Sequence, residues 1–89
     1  MQRVLVSGKV QNVGFRDWVV RRAGELDLTG WVRNRADGRV EVLIVGDDAI
    51  VAQMIALCRA GPPTARVDDV VVEGADERPP KGFTKRFTA

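Results

Sequence analysis

The residues that could do chemistry lie in one stretch, Gly8-Lys9-Val10-Gln11-Asn12-Val13-Gly14-Phe15-Arg16. Before it, Arg3-Val4-Leu5-Val6-Ser7 alternates and is β-branched, the pattern of a strand. After it, Phe15, Trp18, Val19, Arg22, Ala23 and Leu26 recur at helical spacing, with the stem of Arg22 able to cover apolar surface. The stretch is therefore a strand-to-helix loop with a glycine near each end and Arg16 in the first helical turn. A helix start leaves up to about four backbone N–H groups unpaired and carries roughly half a positive charge. Arg16 is badly placed there unless an anion sits in front of it. The expected chemistry is capture of a phosphate-type anion, with the loop as its cradle and Arg16 facing it.

The elements that must position this loop follow from the rest of the pattern. A first strand is expected over Arg3 to Lys9 and a first helix over Phe15 to Leu26, with Gly24 inside it needing a close packing contact. Leu28 to Arg35 reads as the second strand. It places Trp31, Arg33 and Arg35 on one face and Gly30, Val32 and Asn34 on the other. Ala36-Asp37-Gly38 is a tight hairpin turn, and Arg39 to Val45 is a third strand, apolar apart from Glu41 and so suited to a central position. Asp47 or Asp48 caps a second helix that runs to Ala60 on an apolar stripe of Ile50, Val51, Met54, Leu57 and Cys58. Arg59 complements its C-terminus, and Gly61-Pro62-Pro63 stops it. Ala65 to Glu73 is a fourth strand, Gly74 to Gly82 a loop, and Phe83 to Thr88 a short edge strand.

The order β-α-β-β-α-β plus a small strand is the α+β, ferredoxin-like (split βαβ) sandwich, an antiparallel sheet of four to five strands with two helices on one face. In that plan the first and second strands are parallel, with the third between them. Asn34, at the end of the second strand, then lies beside the loop after the first strand and shares a face with Val32. An uncharged amide is thus expected next to Arg16.

Composition narrows the chemistry. The 89 residues suffice for one domain, 1–89, and 45% apolar residues can fill a core between a sheet and two helices. A single cysteine, Cys58, rules out an internal disulfide and suits a reducing compartment. No signal-peptide pattern and no apolar run of membrane-span length is found, so a cytoplasmic protein without membrane attachment is expected. The net charge of +2 is a mild attraction to anions and no nucleic-acid signature. There is no histidine, which removes the usual general base, the commonest metal ligand and any Ser-His or Cys-His nucleophile.

With these elements in place, Gly8-x-Val10-Gln11-x-Val13-x-Phe15-Arg16 followed by Gly30-Trp31-Val32-Arg33-Asn34-x-x-Asp37-Gly38 resembles the acylphosphatase family from about Val4 to Val72. The resemblance implies hydrolysis of a carboxyl–phosphate anhydride to carboxylate and inorganic phosphate, without metal, cofactor or covalent intermediate. It sets the family's catalytic arginine on Arg16 and its water-orienting asparagine on Asn34. The phosphate loop falls on the amides from Lys9 to Phe15. The implied partners are small acyl phosphates and inorganic phosphate, as product and inhibitor, acting on a monomer. Asn12 departs from the pattern, which usually has glycine there. Phe83 and Phe87 are spaced less like the family's final strand.

Plainer readings stand beside these. Arg16 alone is a surface arginine, and Asn34 alone a hairpin residue bonded to its own turn; together with the loop they favour catalysis. Gln11 is expected to be a solvated loop side chain. Cys58 is a small core residue, Asp47-Asp48 a cap, Asp68-Asp69 split across two strand faces, Trp18 and Trp31 packing residues, and Lys81, Lys85 and Arg86 a solvated basic end. Two other functions share the architecture. A nucleic-acid module would need exposed aromatics on the central strands, and these carry none. A catalytically silent, phosphate-sensing module of the kind built into larger maturation enzymes fits the free-standing length less well.

Overall fold

The computed structural model describes residues 1–89. Its elements are β1 (Gln2–Lys9), α1 (Phe15–Glu25), β2 (Thr29–Asn34), β3 (Val40–Val45), α2 (Asp48–Ala60), β4 (Arg66–Gly74) and β5 (Phe83–Lys85). The sheet order is β4-β1-β3-β2-β5, so β3 is central and separates the parallel pair β1 and β2, as the ferredoxin-like plan requires. One feature of the expected sheet is corrected. The last strand is three residues long and runs parallel to β2, so the sheet is mixed rather than wholly antiparallel.

The alternation along the strands decides what each face holds. Val4, Val6, Val32, Val40, Val42 and Ile44 face the helices and are fully buried against Phe15, Trp18, Val19, Val51, Met54 and Cys58. Phe15, the first residue of α1, is 1% exposed and meets Trp18 edge to face at 5.4 Å. Burying such a ring contributes about 1.5–3 kcal/mol, so the start of α1 is fixed to the sheet and Arg16 with it.

The opposite face carries a smaller layer. Glu41 is 3% exposed there and forms ion pairs with Arg33 at 2.7 Å, Arg3 at 3.2 Å and Arg35 at 3.3 Å. Trp31 lies beneath the guanidinium groups of Arg33 and Arg86, at 4.6 and 4.8 Å from the ring centre. A lone acid in an apolar strand is thus neutralised by the arginines of its neighbours.

Two local expectations fail. A Cβ at Gly24 would meet nothing within 4 Å, so no close contact explains that glycine. Ile50 and Leu57 pack against the core but are only partly buried, leaving Val51, Met54 and Cys58 as the buried stripe of α2. The cap of α2 is Asp47, whose carboxylate accepts from the Ala49 N–H at 3.0 Å. No helix is long and apolar enough to cross a membrane.

Candidate active site

Between β1 and α1 the chain turns through two left-handed residues, Asn12 (φ 62°) and Gly14 (φ 76°). Gly14 occupies the N-cap position of α1 and supplies no side-chain cap. The contrast with α2 is informative, because that helix closes its own first turn with Asp47. From Val10 to Asp17 no backbone N–H donates to any acceptor of the chain, neither backbone nor side chain. Such a run of N–H groups with no acceptor in the chain, at the start of a helix, presents donors to acceptors that arrive from outside.

Arg16 and Asn34 converge on this run. A pocket of about 140 Å³ is lined by Val10, Asn12, Gly14, Phe15, Arg16, Asp17 and Asn34. The partly buried Arg16 takes part in none of the chain's ion pairs, although Asp17 is its neighbour in sequence. Asp17 is instead engaged by Lys85, whose Nζ lies 2.9 Å from its Oδ1 and whose hydrogen bond holds the Asp17 carboxyl below the usual carboxylate range. The local acid is therefore turned to another cation. Asn34 is 7% exposed, and its Oδ1 is buried with no hydrogen-bond partner. An orphaned buried acceptor costs on the order of 1–3 kcal/mol, which a bound water or substrate proton would recover.

The loop is held from both sides. Gln11 Nε2 donates to the carbonyls of Arg35 at 2.8 Å and Arg39 at 2.9 Å, across the base of the β2–β3 hairpin. This corrects its reading as a solvated side chain. On the other flank the Thr64 hydroxyl donates to the Val13 carbonyl at 2.6 Å. Of the residues expected in the cradle, Val10, Asn12, Gly14 and Phe15 line the pocket. Lys9 is the last residue of β1 and pairs with Arg66 in the ladder. The Gln11 side chain serves the hairpin, and Val13 packs on the core.

Three contributors were not anticipated from the pattern. Thr64 and Asp17 gave no signal, since a threonine after two prolines and an acid in a first turn are ordinary. Glu41 did leave one, as the single charge in an apolar central strand. Its bonds to Arg33 and Arg35 grip β2 on either side of Asn34.

The sequence and the fold match a known family. The acylphosphatase family model matches residues 2–87. The chain belongs to the acylphosphatase family. An acylphosphatase of Acidiphilium cryptum is 51% identical over 87 residues, covering 98% of this chain and 96% of that protein. Among solved structures, an acylphosphatase from Coxiella burnetii superposes with a TM-score of 0.90 at 39% identity, covering 96% of this chain and 90% of its own. The crystal structure of the Bacillus subtilis acylphosphatase gives 0.89 at 35% identity, covering 96% of each chain. The acylphosphatase fold thus extends over nearly all the elements described, including those that carry Arg16 and Asn34.

Proposed function

We propose that this chain hydrolyses acyl phosphates, splitting the carboxyl–phosphate bond to a carboxylate and inorganic phosphate, and that residues 1–89 form one domain that does so as a monomer in the cytoplasm. The observation that carries the reading is the run of unpaired N–H groups from Val10 to Asp17 opening onto a pocket shared with Arg16 and Asn34. A cation at the positive end of a helix is unfavourable by about 0.3–1 kcal/mol. A bound phosphoryl group reverses the sign, since each charge-assisted bond contributes about 1.5–3 kcal/mol.

In this mechanism the guanidinium of Arg16 takes two phosphoryl oxygens in its fork and the loop amides take the rest. The carboxylate is a good leaving group, so little acid catalysis is required. Positioning and charge stabilisation of the transferring phosphoryl group supply the acceleration. Asn34 Oδ1 accepts a hydrogen bond from the attacking water and holds it in line with the breaking bond. Water oxygen bonds to phosphorus as the carboxylate leaves with the bonding pair, and the water proton passes to the phosphate formed. No protein base is needed, in keeping with the absence of histidine.

The reading involves no metal, cofactor, nucleic acid or membrane. Trp31, on β2 next to the central strand β3, is 2% exposed and offers no stacking surface to a base. The test follows the ultraviolet absorbance of benzoyl phosphate with EDTA present. The wild-type chain is expected to hydrolyse it, and Asn34→Ala to lower kcat by about a hundredfold while inhibition by phosphate survives. Near-full turnover by Asn34→Ala would remove the role given to that residue.

A further inference from the structure

Thr64 and Val13 are 51 positions apart, and the fold brings them together through the end of α2. Gly61, which ends that helix at φ 70°, lies so near the start of α1 that a Cβ there would stand 3.4 Å from the Phe15 ring. The buried Pro62 follows, and its carbonyl accepts from the Ala65 N–H at 3.0 Å. That bond closes a four-residue turn with Pro63 and Thr64 at its centre. Proline presets the backbone angle of the second turn position, so Thr64 is held in place. Its exposed side chain reaches the anion loop, where the hydroxyl donates to the Val13 carbonyl at 2.6 Å.

The consequence falls on the next N–H. The carbonyl and the N–H of one trans peptide unit point in opposite directions, and the chain has no cis bond. With the Val13 carbonyl turned to Thr64, the Gly14 N–H is turned away from it. Gly14 lines the pocket and Thr64 does not, so the N–H is directed to the pocket side, where it finds no acceptor within the chain. This peptide unit is also the one in the loop with least resistance to turning over. Glycine takes φ of either sign at similar cost, and a Cβ at Gly14 would meet nothing within 4 Å. Neither a side chain of its own nor a close neighbour therefore holds Gly14 at its φ of 76°.

We propose that Thr64 is a positioning residue for the anion loop, its hydroxyl locking the Val13–Gly14 peptide in the orientation that aims the Gly14 N–H at the phosphoryl group. This deepens the hydrolytic reading above and rests on it. Thr64 itself touches neither the substrate nor the attacking water. Without its hydroxyl the peptide divides its time between two orientations. In the flipped one a carbonyl oxygen meets the anion where a donor is needed. The phosphoryl group is anionic before and during transfer, so the loss weakens bound substrate and transition state about equally, raising KM and sparing kcat. Asn34, which acts on the water, carries the opposite signature.

The experiment measures kcat, KM and inhibition by inorganic phosphate, with benzoyl phosphate as substrate, for the wild type, Thr64→Val and Thr64→Ser, beside urea midpoints. Thr64→Val keeps the shape and deletes the donor. Its KM and phosphate inhibition constant are expected to rise together about three- to tenfold, the range of one neutral hydrogen bond, while kcat stays within about twofold. Thr64→Ser retains the hydroxyl and is expected to match the wild type in all three. Unchanged constants in Thr64→Val overturn the proposal, whether or not the urea midpoint falls, because the bond then serves stability alone. A Thr64→Ser variant that shifts as far as Thr64→Val overturns it as well. Either result leaves the hydrolytic reading intact. A wild-type chain that fails to hydrolyse benzoyl phosphate overturns that reading, and the proposal with it.

Discussion

Gln11 donates its side-chain amide to the carbonyl of Arg35 at 2.8 Å, one residue beyond Asn34. The same nitrogen reaches the Arg39 carbonyl at 2.9 Å, so one amide joins the anion loop to both strands of the β2–β3 hairpin. The two halves of the site come from elements that are not consecutive, and this bond fixes their separation. Gln11→Leu keeps the bulk and deletes the donors. Stability should fall by about 1–2 kcal/mol, and kcat/KM by about tenfold with the phosphate inhibition constant rising in parallel. Denaturant melts beside steady-state kinetics check this; stability loss with unchanged phosphate affinity would make the contact merely structural.

Arg16 has no ion-pair partner in the chain, so removing it frees no buried carboxylate. Arg16→Ala should therefore fold with stability equal to the wild type or up to about 1 kcal/mol higher, because a cation leaves the positive end of a helix. Activity and phosphate inhibition should both vanish. Arg16→Lys keeps the charge but loses the fork, and should recover little of either. Phosphate protection against thermal unfolding, present in the wild type and absent in both variants, is the direct measurement.

Among the groups lining the pocket, only Asp17 and Arg16 carry ionisable side chains. The hydrogen bond from Lys85 lowers the Asp17 pKa, so this carboxylate keeps its charge through and below the ordinary carboxylate range as pH falls. No lining side chain then changes charge near neutrality. The kcat profile should be flat from about pH 5.5 to 8, and a bell centred near 6.5 would require a base that the chain does not contain.

The architecture was readable because periodicity and breakers agree along most of the chain. Val40 to Val45 announces a buried central strand, and Asp47 and Gly61 bracket α2. Val32 and Asn34 share a face because strand alternation leaves no other choice, which brought Asn34 to the loop before any coordinates. What the pattern did not reveal depends on contacts between distant residues. The bond between Gln11 and the hairpin spans 24 positions, and that between Thr64 and Val13 spans 51. Neither leaves a local trace. The parallel pairing of β5 was missed for a related reason, since three residues carry too little alternation to set a direction.

Asn12 stands at φ 62°, in the left-handed region that glycine adopts most readily. Side chains other than Gly, Asn and Asp cost about 1–2 kcal/mol there. Asn12→Ala should lose about 1 kcal/mol, whereas Asn12→Gly should stay within about 0.5 kcal/mol of the wild type, relief of strain being offset by a freer unfolded chain. Because Asn12 lines the pocket, Asn12→Gly should also alter kcat; an Asn12→Ala variant as stable as the wild type would contradict the backbone conformation.

Cys58 gives the fold an alkaline limit of its own. Its thiol is fully buried on α2, and desolvation pushes its pKa from 9.0 up to about 12. In the unfolded chain the thiol ionises near its ordinary value, while in the folded chain it stays protonated. The neutral thiol's advantage is complete below pH 9 and is lost as pH rises toward 12, at about 1.4 kcal/mol per pH unit. Cys58→Ala removes this dependence at the expense of a small cavity, about 1 kcal/mol at neutral pH. The variant should therefore be less stable than the wild type at pH 7 and more stable above about pH 10, since other alkaline titrations are common to both. Urea midpoints of the two proteins at pH 7, 9 and 10.5 test the crossing, and parallel curves would mean that the thiol ionises as readily inside the protein as outside it.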